Sequence, residues 1–270
     1  ATAAGVFTLN DVRAAPVRYC QAILASEERF HAVVVNSGNA NCCTGAQGIA
    51  DTQTMATETA TPLGIAPEAV FVCSTGRIGR ALPMTAVQAG IAKAAAGAHV
   101  QGGDAVSGAG FAKAILTSDT RPKTVTARFS VNDQTVTLAG VAKGAGMIEP
   151  NMATMLAFLA TDAAVAPPLL RELLTEAVKP TFNACTIDGD MSTNDTVLLL
   201  ANGASQVTID HENPGALAVF RDALHQVCRV LAEKIVADGE RITKVVCLTV
   251  EGAADAAQAE RVARTIGNSL

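Results

Sequence analysis

The sequence predicts an α/β protein in which mixed sheets are layered with helices. Three observations carry that expectation. Short apolar runs of strand length, at Phe30–Val35, Ala69–Cys73, Leu156–Thr161 and Val197–Ala201, alternate with longer stretches of helical apolar spacing. Two neighbouring runs, Thr124–Val131 and Gln134–Ala142, alternate apolar and polar residues about Asn132-Asp133, the pattern of a hairpin. Hydrophobic residues make up 49% of the 270 and charged residues only 17%, which supplies a sizeable core and argues against disorder.

Taken in order, Phe7 to Pro16 reads as a strand and a turn, leading to a helix over Val17–Ala25. Phe30–Val35 is a β-rich run that the turn chemistry of Asn36-Ser-Gly-Asn39 ends. Gly45–Leu63 spaces Ile49, Met55, Ala56 and Ala60 as a helix, and Pro62 and Gly64 stop it. Ala69–Cys73 is a buried strand running into Ser74-Thr-Gly-Arg-Ile-Gly79, and Thr85–Ala98 is an Ala-rich helix. Phe111–Thr117 reads as a strand before the hairpin. Beyond Leu156–Thr161, the stretch Pro167–Lys179 puts Leu169, Leu170, Leu173, Leu174 and Val178 on one helical face, and Pro180-Thr-Phe182 breaks it. Asp188–Asp195 is a turn-rich loop, Val197–Ala201 a buried strand, and Pro214–Ala237 a long helix ended by Asp238-Gly239. Lys244–Glu251 alternates as a strand, and Ala256–Ser269 reads as a helix with no partner after it. There is no short-period repeat and no low-complexity linker.

Composition excludes several functions. The net charge of −5 gives no basic footprint for nucleic acid, and the absence of Trp with a lone Tyr19 removes platforms for stacking bases. No apolar run reaches transmembrane length, so no membrane partner is expected. Seven irregularly spaced cysteines fit reduced thiols of a cytoplasmic protein better than a disulfide framework. Adjacent Cys42 and Cys43 are poor zinc spacing, and His31, His99, His211 and His225 form no triad or metal pattern. Asp188, Asp190 and Ser192 have calcium-loop spacing, but Thr193 and Leu199 stand where that loop needs Gly and Glu. A structural loop of Asx turns is expected there, with Asn194 and Asp195 its best polar candidates. There is no phosphate-binding glycine loop; no metal and no cofactor is implied.

Reactive chemistry points to Lys143-Gly-Ala-Gly-Met-Ile-Glu-Pro-Asn-Met-Ala-Thr-Met-Leu156. Thr154 lies between a Gly/Pro-rich loop and an apolar run. A hydroxyl is a weak nucleophile without an adjacent base, and cleavage of the Ala153–Thr154 bond would free an α-amino group to take its proton. That amine titrates near neutrality, and before cleavage it is an amide that cannot act as a base. The residues alone also allow a loop entering a buried strand, with Thr154 as a β-former. Thr75-Gly76 after the Phe71–Cys73 strand could present a hydroxyl and a backbone N–H to an oxyanion, or be an ordinary strand-to-turn junction. Lys143 could grip a carboxylate as a point charge, or be a solvated surface lysine. Thr117 could be a turn hydroxyl, and Glu240 either a surface carboxylate or the partner of a substrate amino group.

The Lys143–Leu156 segment resembles the self-cleavage segment of the ornithine acetyltransferase (ArgJ) family. Ala-Gly-Val-Phe-Thr (4–8), Ala-Ala-Pro-Val (14–17), Asn-Ser-Gly-Asn-Ala-Asn-Cys-Cys-Thr-Gly (36–45), Ser-Thr-Gly-Arg-Ile-Gly (74–79), Ala-Ile-Leu-Thr-Ser-Asp-Thr (114–120), Asp-Gly-Asp-Met-Ser-Thr-Asn-Asp-Thr (188–196) and Asp-Gly-Glu (238–240) match in the same order. The resemblance covers essentially the whole chain. It implies a DmpA/ArgJ-like fold of N-terminal-nucleophile character, and acetyl transfer from N2-acetylornithine to glutamate by a ping-pong route through acetyl-Thr154, in arginine biosynthesis. It implies Thr75 and Gly76 as the oxyanion hole, and Thr117, Lys143, Thr154 and Glu240 as substrate contacts. Self-cleavage at Ala153–Thr154 would give an α-chain part, 1–153, and a β-chain part, 154–270, assembled as α2β2, with acetyl-CoA an additional donor in bifunctional members. Two departures stand out: Arg241-Ile242 follows Glu240 where the family commonly has Gly-Ala, and Ser118 replaces a threonine. Both ends fall inside family patterns, so the resemblance further implies a piece lacking N- and C-terminal portions. Two other readings accompany it: an amidohydrolase or aminopeptidase with water as acceptor, and an inactive fragment.

Overall fold

A computed structural model describes residues 1–26, 29–98, 105–147 and 155–269. The elements, in chain order, are β1 (Thr2–Phe7), α1 (Ala15–Ser26), β2 (Ala32–Asn39), α2 (Gly45–Leu63), β3 (Val70–Arg77), α3 (Met84–Gly97), α4 (Ala105–Ala114), β4 (Lys123–Val131), β5 (Gln134–Lys143), β6 (Leu156–Thr161), β7 (Ala164–Val165), α5 (Pro167–Val178), β8 (Thr196–Ala201), β9 (Thr208–Ile209), α6 (Pro214–Val236) and α7 (Ala256–Gly267). The mixed α/β class is the one expected.

Five strands form the main sheet in the order β1-β8-β6-β5-β4, parallel between β6 and β8 and antiparallel elsewhere. β6 and β8 read as near-continuous apolar runs because both of their faces are covered. Ala157, Leu159, Val197 and Leu199 pack with Leu170, Leu174, Phe220 and Leu231 of α5 and α6. The alternate residues Leu156, Phe158 and Leu198 face the other way, against Phe30, Phe71 and Cys73 around the parallel pair β2–β3. The far side of that pair packs through Val70 and Val72 on Met55 and Ile91 of α2 and α3. β4 and β5 join through Asn132 and Asp133, both at positive φ (48° and 64°), as the mirror-image turn of a two-residue hairpin requires.

Four elements differ from expectation. The strand expected within Phe7–Pro16 lies earlier, as β1, and residues 8–14 after it form no strand. Phe111–Thr117 is not a strand: its first residues belong to α4, and Phe111, Ala112 and Ile115 turn inward on one helical face, with Phe111 edge-on to Phe158 at 5.5 Å. So short an apolar run fits either period. Asn36-Ser-Gly-Asn39 does not end the strand; β2 continues through it, paired with Ser74–Arg77. Lys244–Glu251 forms no strand: no ladder partner exists for it among the described residues, and Val245 and Val246 are 59% and 72% exposed. No helix among the described residues is long and apolar enough to cross a membrane.

Candidate active site

Strand register gathers the expected site residues at one end of the main sheet. Lys123 pairs with Ala142, Lys143 with Leu156, and Thr196 with both Leu156 and Phe7. Five strand ends therefore meet there. The end of β3 reaches the same place from the neighbouring sheet, where buried Thr75 accepts a hydrogen bond from Lys143 Nζ at 3.3 Å. Gly76 follows at φ +133°, and a Cβ on it would lie 2.2 Å from the Gly38 carbonyl carbon across the ladder. Only glycine fits that close approach.

Lys143 is not a solvated lysine. It is 1% exposed, and its ammonium also donates to Thr117 Oγ1 at 2.7 Å and pairs with Asp119 at 3.4 Å. Asp119 is the hub of this region. It further accepts from Lys123 Nζ at 2.6 Å and from the backbone N–H groups of Gly144 and Thr117, at 2.6 and 3.1 Å. Lys123, wholly buried, bridges on to Asp238 at 2.6 Å, and Asp238 also accepts from the hydroxyl and N–H of Thr120. Two buried cations and two anions thus balance within the protein, with exposed Arg121 also 3.8 Å from Asp238, the condition under which buried charge is tolerated. Burial pulls the Asp119 pKa up, but the Lys143 charge, the Lys123 bond and the two N–H donors outweigh it and hold it at about 2. Burial lowers the Lys143 pKa, and Asp119 opposes that.

Ala153 and Thr154 lie outside the described residues. The residue bonded to Thr154, Met155, is held at both ends of its peptide unit. Its N–H donates to Asp195 Oδ1 at 2.9 Å, and its carbonyl accepts from Thr196 N–H at 3.2 Å. Asp195 is fully buried, and its Oδ2 has no hydrogen-bond partner among the described residues. Burial pushes its pKa well above the carboxylate range, more than the Met155 and Ser192 hydrogen bonds and the Lys143 charge can offset. Its pKa is thus moved in the direction opposite to that of Asp119, nearby in the same interior. Asn194 buttresses the region as expected, its amide donating to the carbonyls of Ala40 and Ser74 at 2.6 and 2.8 Å. The Asx turn expected in this loop is present, with Asp190 N–H on Asp188 Oδ1 at 3.2 Å.

Glu240 is exposed but belongs to the same neighbourhood. Its N–H donates to the Ala145 carbonyl at 2.6 Å, and its carboxyl lies over Gly146, 2.8 Å from where a Cβ would stand. Thr75, Thr117, Lys143 and Glu240 are thus brought together around the segment that leaves β5. Sequence reasoning missed Asp119, Lys123 and Asp238 as a network. The i,i+4 spacing of Asp119 and Lys123 was visible, but no periodicity shows that both side chains are buried.

The profile of the ArgJ family matches residues 1–270, the whole chain. The chain belongs to the ArgJ family. The arginine biosynthesis bifunctional protein ArgJ of Symbiobacterium thermophilum is 48% identical over 267 residues, covering 99% of this chain and 65% of the relative. That of Thermotoga neapolitana is 46% identical over 270 residues, covering 99% and 66%. This ArgJ-family chain therefore spans about two thirds of the length of those relatives. Among solved structures, the ornithine acetyltransferase of Mycobacterium tuberculosis complexed with ornithine is 40% identical, with a TM-score of 0.48, covering 55% of this chain and 76% of that one.

Proposed function

We propose that the protein is an acyltransferase of arginine biosynthesis that moves an acetyl group from N2-acetylornithine to glutamate through Thr154. The observation that carries this reading is the pinning of Met155, next in sequence to Thr154, at the sheet end where Thr75, Thr117 and Lys143 converge. The Ala153–Thr154 bond breaks first, leaving the parts 1–153 and 154–270, assembled as α2β2 in the cytoplasm. The freed amine then takes the proton of the Thr154 hydroxyl as its oxygen attacks the acetyl carbonyl. The Thr75 hydroxyl and Gly76 N–H stabilise the resulting oxyanion, and its collapse expels ornithine with that proton and leaves acetyl-Thr154. The amino group of glutamate attacks the ester, Thr154 leaves as the hydroxyl, and N-acetylglutamate departs. Lys143 and Thr117 hold substrate carboxylate and Glu240 holds substrate ammonium, with acetyl-CoA serving as a second donor. Family membership over the whole chain supports this chemistry.

The test is intact mass under denaturing conditions, for the wild type and Thr154→Ala, followed by incubation with N2-acetylornithine and glutamate. The expected result is two wild-type species, one beginning at Thr154, a single uncut variant, and N-acetylglutamate formed only by the wild type. Cleavage of the variant at the same bond would overturn the nucleophile. Free acetate without N-acetylglutamate would make the protein a hydrolase.

A further inference from the structure

The Lys143 ammonium offers three N–H groups and no acceptor. Three partners inside the protein occupy them: Thr117 Oγ1 at 2.7 Å, Thr75 Oγ1 at 3.3 Å and Asp119 Oδ2 at 3.4 Å. Because an ammonium cannot accept, each hydroxyl is the acceptor in its contact. Its own O–H proton must then point elsewhere, and neither hydroxyl donates to any of the described residues. Thr75 is only 2% exposed, and a buried hydroxyl normally finds an acceptor. Here the unspent proton sits one residue before Gly76.

Three segments remote in sequence make this arrangement: Lys143 ends β5, Thr75 lies on β3, and Thr117 follows α4. Each is fixed. Ser74 Oγ donates to Asn36 Oδ1 at 2.6 Å, and the Ser74 carbonyl accepts from Asn194 Nδ2 at 2.8 Å, which holds the backbone before Thr75. Asp119 is anchored by Lys123 and by the N–H groups of Gly144 and Thr117, so the carboxylate that holds the Lys143 ammonium is itself held.

We propose that Lys143 is a positioning residue for acyl transfer: by occupying a lone pair on Thr75 Oγ1 and on Thr117 Oγ1, it turns the Thr75 proton toward the oxyanion and the Thr117 proton toward the substrate carboxylate. The role deepens the acyl-transfer reading and rests on it. A hydroxyl that accepts from a cation is polarised, and it donates more strongly where negative charge develops. Lys143 then acts on the carboxylate through Thr117, with its own N–H groups committed inside the protein. The role needs the charge on Lys143. Burial lowers its pKa and the Lys123 charge does the same, while the Asp119 and Asp195 carboxylates raise it.

The experiment compares N2-acetylornithine with 4-nitrophenyl acetate, an acetyl ester that has neither carboxylate nor ammonium. Steady-state rates are measured per mole of chain beginning at Thr154, for the wild type, Lys143→Met, Lys143→Arg, Thr75→Ala, Thr75→Ala/Lys143→Met and Asp119→Asn, with a melt of each to check folding. Lys143→Met should lower kcat for N2-acetylornithine and turnover of the ester alike, by about tenfold or more. In the Thr75→Ala background the same change should cost less than about threefold, because the two residues act as one unit. Lys143→Arg should restore part of the loss. Asp119→Asn removes a charge that raises the Lys143 pKa, so ester turnover should fall with rising pH earlier than in the wild type. A raised KM for N2-acetylornithine with kcat and ester turnover unchanged makes Lys143 a carboxylate grip and overturns the inference, as does a fully additive loss in the double variant. Where Lys143→Met does not fold or is not cut, the Asp119→Asn profile decides, and one parallel to the wild type overturns it. A wild type that forms no N-acetylglutamate and no chain beginning at Thr154 defeats the acyl-transfer reading and this inference with it. A wild type that does both, with Lys143→Met unimpaired, defeats the inference alone.

Discussion

The strand β4 and the stretch 244–251 look alike in sequence, each alternating apolar and polar residues, yet their fates differ. β4 pairs with β5 along its length and packs against α6, Phe129 meeting Phe220 edge-on at 6.2 Å. The later stretch has no ladder among the described residues, and α7 after it buries no residue. Alternation states which side chains would share a face; it does not supply a partner for the backbone N–H and C=O groups. The contrast extends to charge. At the start of β4, Lys123 is locked between Asp119 and Asp238, while α7 carries a partly exposed pair of Arg264 with Glu260 at 2.5 Å.

The largest expected effect comes from breaking the buried side of this comparison. Lys123→Ala removes the 2.6 Å partner of both Asp119 and Asp238, leaving them only Lys143 at 3.4 Å and exposed Arg121 at 3.8 Å, and should destabilise by about 3 kcal/mol, measured by urea unfolding. A loss below about 1 kcal/mol would mean that the network is hydrated and behaves like the pair on α7. Gly76→Ala forces a methyl against the Gly38 backbone and a left-handed φ on alanine, and about 3 kcal/mol of destabilisation should follow in the same assay.

Protons sharpen the contrast within the site itself. Because Asp119 titrates at about 2 when folded, below its unfolded value, its contribution is present above about pH 4 and is lost as pH falls toward about 2. Asp195 acts with the opposite sign. Its folded pKa is raised, so the folded state holds a proton that the unfolded chain releases, and stability falls as pH rises beyond about 4 toward that raised value. Melting temperature against pH should therefore flatten on the acid side in Asp119→Asn and on the neutral side in Asp195→Asn. An Asp195→Asn profile parallel to the wild type would contradict the upward shift of Asp195. The smallest effect belongs to the exposed stretch: Val246→Asp should change stability by no more than about 0.5 kcal/mol. A larger loss in that variant would show that a partner covers the segment in solution.

Much of the fold was legible because it is written in local periodicity. The helix Gly45–Leu63 has the expected ends, and the hairpin turn sits at Asn132-Asp133 because the mirror-image turn requires residues that tolerate positive φ. The sequence by itself also marked Thr75, Gly76, Thr117, Lys143, Thr154 and Glu240 as one family's site, since those motifs are contiguous stretches of chain. It could not say that Lys143 and Lys123 are buried and paired, that Asp119 joins them, or that Asp195 reaches the N–H of Met155 from the loop just before β8. Those facts depend on register between strands distant in sequence and on the cost of charge away from water. Only the tertiary structure sets both, because burial and pairing belong to the packed sheet end, and no single segment contains them.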